Sequence, residues 1–238
     1  MTRIFTKKKR PILEFFGSII LILSIIAAVV YELKSFPDTL TWSLVAKGLP
    51  VALLGVYALF NFRTLDHAIL ALALFASAAG DIGLELPFDN KLSYGIAGFS
   101  VAHVFYMLLF LRNRRHLQDL AKIRLNIASL AWALTTIVAI LLYDSLGEMQ
   151  YLIIGYMVIL TGMVSCAQLS RYPFILVGIG SMLFFISDAF IAGRMFLSLP
   201  DWSNTVIWLS YYLAQFLITM GVLIAPDQEK RYHIKTFT

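Results

Sequence analysis

Apolar residues come in long unbroken runs along nearly the whole chain, and polar residues gather between the runs. A spanning helix needs about 20 mainly apolar residues. Eight runs reach that length, at about 12–31, 40–60, 64–85, 92–111, 124–143, 147–168, 173–196 and 204–225. Turn residues separate them, as in Ser35-Phe36-Pro37-Asp38, Leu86-Pro87-Phe88-Asp89-Asn90 and Leu199-Pro200-Asp201. No connection is long enough to divide off a soluble domain. The pattern predicts an all-α polytopic membrane protein, with one membrane domain of eight helices over residues 1–238. The first run is long and no small-residue cleavage site closes it, so it reads as a membrane helix.

Composition agrees: 60% of residues are hydrophobic and 14% are charged, where a soluble domain has about a quarter charged. The net charge of +5 does not point to nucleic acid, because the basic residues sit at helix ends. Arg3, Lys7, Lys8, Lys9 and Arg10 precede the first helix. Arg63, then Arg112, Arg114, Arg115, Lys122 and Arg124, then Arg171, then Lys230, Arg231 and Lys235 follow on the same side. The opposite loops hold Lys34 and Lys91. That asymmetry places both termini in the cytoplasm, here of a bacterial inner (plasma) membrane. The single cysteine, Cys166, excludes an intramolecular disulfide.

The informative residues are the polar ones inside the runs. Asp81 lies in FASAAGDIGLE (75–85), among small residues that let helices approach closely. A charge at membrane depth costs about 3 kcal/mol on insertion scales, so it marks a functional site by default. Asp188 lies in LFFISDAFIAGRMF (183–196). The two segments run in the same direction, which raises a parallel repeat of four plus four helices. At a rise of about 1.5 Å per residue, Lys47, Asp81, Asp188 and Tyr212 fall at nearly one level. His103, Tyr106, Tyr156, Tyr211 and Gln215 lie in the same outer half. They predict a polar cavity there, with Lys47 paired to an Asp and His103 as the histidine of the apolar core. Glu85 and Arg194 read as interfacial.

Two buried carboxylates suit acid/base chemistry. A metal site would need three or four ligands, and one His with two Asp shows no ligand spacing. No serine-nucleophile, phosphate-loop or dinucleotide pattern occurs. A transporter for a lipid or small amphipathic solute could use the same cavity, and a non-catalytic scaffold is the third class.

Four short motifs in this order and spacing resemble the YhhN-like, or lysoplasmalogenase, family: A-G-D at Asp81, A-H-x-x-Y at His103 and Tyr106, S-D at Asp188, and Y-Y-x-A-Q from Tyr211 to Gln215. Lys47 ahead of Pro50 resembles that family's Lys-Pro, with Gly48 and Leu49 intervening. Gly193-Arg194 departs from the family's Asn-basic pair. The resemblance implies an eight-helix membrane hydrolase that cleaves the vinyl ether bond of a lysoplasmalogen, releasing a fatty aldehyde and a glycerophospho-base. It implies Asp81 and Asp188 as catalytic groups. Lys47, His103, Tyr106, Tyr211, Tyr212 and Gln215 would be substrate-binding, and the partners would be a lysophospholipid and membrane lipids. No cofactor or metal is called for.

Overall fold

A computed structural model describes residues 11–225. The basic residues of the two ends (Arg3, Lys7, Lys8, Lys9, Arg10, Lys230, Arg231 and Lys235) lie outside the described residues. Eight helices follow one another: α1 Pro11–Glu32, α2 Leu40–Phe60, α3 Leu65–Glu85, α4 Lys91–Arg112, α5 Lys122–Leu142, α6 Gln150–Gln168, α7 Ile179–Leu197 and α8 Trp202–Ile224. Each is long and apolar enough to cross a membrane. Ile22, Leu72, Val101, Leu108, Ile140 and Leu213 point outward, as lipid-facing positions should. The chain is a multi-pass integral membrane protein of the all-α class.

Local chemistry explains the helix ends. The described part of α1 starts at Pro11. It closes in a Schellman motif: Ser35 N–H donates to Val30 O at 3.0 Å and Lys34 N–H to Tyr31 O at 3.0 Å, with Lys34 at φ 50°. Thr39 caps α2 by accepting from Trp42 N–H. Two boundaries differ from the sequence reading. Residues 147–149 form a 3-10 turn, so α6 starts at Gln150. Residues 174–178 form a wide π turn before α7, and Gln168 Nε2 donates to the Gly178 carbonyl at 2.9 Å, supplying a side-chain partner there.

Packing then sets the layout. α3 and α4 are pressed together through small residues. A Cβ on Gly98 would lie 2.5 Å from Gly80 N, and one on Gly83 would lie 2.9 Å from Gly95 N. α2 and α8 pack on α3, α7 packs on α8, and α6 packs on α4. α5 lies outermost against α6, joined by a 2.6 Å hydrogen bond between Thr135 and Thr161.

The Arg-rich end has its own polar cluster. Arg124 donates to Ser170 O at 2.6 Å and to Tyr172 O at 2.8 Å. Asp66 accepts from Arg112 at 3.1 Å and Asn113 at 2.9 Å. Burial, then the Asp66 charge, holds the Tyr172 hydroxyl well above its ordinary range. His67 is buried there too, bonded to Asn61 O at 2.8 Å. His103 is therefore not the one buried histidine.

Candidate functional site

The site is built at the other end of the bundle. Asp81 on α3 is buried, and its Oδ2 accepts from Tyr211 of α8 at 2.6 Å. Asp188 on α7 accepts from Tyr156 of α6 at 2.5 Å. The Tyr156 oxygen also meets His103 Nε2 of α4 at 3.1 Å. Because the Tyr156 proton goes to Asp188, Nε2 carries the donating proton in this arrangement. Each carboxylate is thus fixed by a tyrosine from another helix, and hydrogen bonds to a charged acceptor are the strong kind.

Both carboxylates border one polar cavity of about 1120 Å³. Tyr31, Lys47, Glu85, Ser187 and Tyr211 share its wall, and Arg194 stands at its rim. A second pocket, of about 260 Å³, is almost wholly apolar. Leu92 and Ile96 of α4, Leu134 and Val138 of α5, Ile153 and Met157 of α6, and Phe185 and Ala192 of α7 line it. Leu134 and Met195 at its edge are exposed on the lipid-facing surface, so it opens sideways. Asp188 lines both spaces, and Asp81 lines the polar one.

Several expected positions move. Lys47 pairs with Glu85 at 2.7 Å, not with an Asp. One turn beyond Asp81, Glu85 reaches the α2 ammonium across the α2–α3 seam, where Gly48 packs against Ile82. Glu85, read as interfacial, therefore belongs to the cavity. Tyr31 also donates to it at 3.5 Å. Arg194, also read as interfacial, lines the same cavity and is held by Pro200 O, Ser203 and Asp201.

Five of the expected cavity residues are not on its wall, Tyr156 lining the apolar pocket instead. Tyr106 is fully buried and donates to Gln215 Oε1 at 2.5 Å. Tyr212 turns toward α1 and bonds Ser24 at 2.8 Å. Ser24 in turn donates to the carbonyl of Pro50 at 2.7 Å. His103 stands behind Tyr156. The reason is helix rotation: at 100° per residue, Tyr211 and Tyr212 cannot face the same way. Tyr156 and Tyr31 carry weight that sequence reasoning left unassigned, and the depth of Tyr156 was its one signal. Among the described residues, no three His, Cys, Asp or Glu side chains gather as metal ligands.

Relatives give this geometry a context. The lysoplasmalogenase TMEM86A of Homo sapiens is 26% identical over 170 residues, 68% of each chain. The lysoplasmalogenase TMEM86B of Rattus norvegicus is 32% identical over 155 residues, 65% of this chain and 61% of its own. A lysoplasmalogenase of Mycobacterium bovis is 30% identical over 160 residues, 65% of this chain and 60% of its own. The chain thus spans less than two thirds of the rat and mycobacterial relatives. No solved structure matches it. The match to the YhhN family runs over residues 42–222, from α2 to the end of α8, and the chain belongs to that family.

Proposed function

We propose that the protein hydrolyses the vinyl ether bond of lysoplasmalogens, using the Asp81–Asp188 pair. The observation that carries the reading is the place of Asp188, where a polar cavity meets an apolar, sideways-opening pocket. A lysoplasmalogen has one polar end and one alkenyl chain, with the vinyl ether at their junction. The chain enters the apolar pocket and the headgroup lies in the polar cavity. Lys47 keeps donors beyond its Glu85 bond for the phosphate.

The chemistry needs one protonated and one ionised carboxyl, and two carboxyls bordering one cavity can divide those roles. Protonation of the vinyl carbon gives an oxocarbenium ion, which the ionised partner stabilises. Water adds to it, and the hemiacetal collapses to a fatty aldehyde and the glycerophospho-base. Tyr156 and Tyr211 hold the carboxyl groups, while Tyr106, Gln215 and His103 pack behind them and Tyr212 ties α8 to α1 through Ser24. The Arg-rich end is the cytoplasmic one.

Purified protein incubated with lysoplasmalogen in micelles should release aldehyde, and EDTA should leave the rate unchanged. No aldehyde would overturn the reading. Flux of lysolipid across vesicles without aldehyde would identify a carrier instead.

A further inference from the structure

We infer that Asp188 is the general acid and Asp81 the base, with Tyr156 and His103 as positioning residues for the acid. This rests on the vinyl ether reading above. Two observations point the same way. The first is the division of space. The carbon that must gain a proton is the one bearing the alkyl chain, and water attacks the neighbouring carbon on the headgroup side. Asp188 is shared by the apolar pocket and the polar cavity, whereas Asp81 borders the polar cavity alone. Only Asp188 reaches the chain side.

The second is the backing of each carboxyl. Behind Asp188 stands Tyr156, and behind Tyr156 stands a fully buried imidazole, His103. His103 Nδ1 has no partner, so Nε2 makes the one polar contact of the ring. Nε2–H donating to Tyr156 strengthens Tyr156 as a donor, because bonds in a chain polarise one another. That stabilises the carboxylate left when Asp188 gives up its proton. Behind Asp81, Tyr211 is ringed by Phe99 at 5.7 Å, Phe184 at 5.3 Å and Trp208 at 6.0 Å. Phe184 also lies 4.8 Å from His103, so it separates the two arrangements.

The cycle balances. Tyr156 occupies Asp188 Oδ2, leaving Oδ1 for the acid proton. The vinyl π pair takes that proton to form a C–H bond, and Asp188 becomes a carboxylate. Water oxygen bonds to the oxocarbenium carbon as Asp81 removes one of its protons. In the collapse, Asp81 returns its proton to the departing glycerol oxygen while the hemiacetal O–H proton passes to Asp188. Both groups end as they began, and one water is consumed.

Azide tests the assignment, because it captures an oxocarbenium ion without needing a base. Asp81→Ala and Asp81→Ser, each assayed with sodium azide and lysoplasmalogen, should regain rate and yield an α-azido ether. Asp188→Ala should yield none, since without the acid the cation does not form. An adduct from Asp188→Ala but not from the Asp81 variants would reverse the assignment. An adduct from neither would reject it. Absence of aldehyde from the unmodified protein would overturn the hydrolase reading itself, a separate result.

The azide reaction of Asp81→Ala then reads the acid alone. Adding Tyr156→Phe should lower its rate roughly tenfold, the worth of one hydrogen bond to a charged group, with KM unchanged. Adding His103→Gln to that double variant should cost nothing more, because His103 acts through Tyr156. An undiminished rate with Tyr156→Phe, or a further multiplicative loss from His103→Gln, would reject the positioning roles.

Discussion

Gly98 offers the sharpest test of how the α3–α4 seam holds Asp81. In Gly98→Ala the added methyl would sit 2.5 Å from Gly80 N, 2.6 Å from Gly80 Cα and 3.2 Å from the Ala79 carbonyl carbon. All three atoms are backbone, so no rotamer change relieves the overlap. Carbon and nitrogen in ordinary contact stand roughly 3.5 Å apart, so the helices must part locally by about 1 Å. Overpacking of this kind costs about 1–3 kcal/mol. Taking about 2 kcal/mol, thermal unfolding in detergent should come about 4–8 °C lower. Asp81 follows Gly80 directly, so it moves with the seam, and a shift of about 1 Å in a reacting group can cost a hundredfold in turnover. Gly155→Ala is the control. Nothing lies within 4 Å of its new methyl, and replacing a mid-helix glycine gains about 0.5–1 kcal/mol. It should unfold at or above the original temperature with turnover intact. If Gly98→Ala melts and turns over like the parent, the close approach of α3 and α4 is not what fixes Asp81.

Asp81→Asn and Asp188→Asn should each lower aldehyde release by at least about a hundredfold, while circular dichroism stays helical, since an amide is cheaper to bury than a carboxylate; near-normal turnover in either would reject the pair. Lys47→Met should destabilise by about 1–3 kcal/mol, because Glu85 is left half-buried without its cation. Adding Glu85→Gln should restore part of that loss, and additive losses in a double-mutant cycle on Tm would refute direct coupling. Reporter fusions to the C-terminus should be active only in the cytoplasm; activity only on the far side would reverse the orientation.

The eight helices were legible in the sequence because the bilayer imposes a length on every apolar run and the backbone must satisfy itself within each helix. The two carboxylates were legible for the same reason: charge inside such a run is too costly to be incidental. Depth, too, could be counted from the rise per residue. Rotation could not, because residues one apart in a helix differ by about 100° in facing, and only neighbouring helices choose the angle. That is why Tyr211 and not Tyr212 meets Asp81, and why Lys47 finds Glu85 and neither Asp. The glycine contacts of α3 with α4, which set how closely Asp81 approaches its neighbours, appear in sequence only as small residues. The two spaces meeting at Asp188 have no local signature at all. Their walls come from α3, α4, α5, α6 and α7 for one, and from α1, α2, α3, α4, α7 and α8 for the other. A boundary between polar and apolar volume exists only once those helices stand side by side.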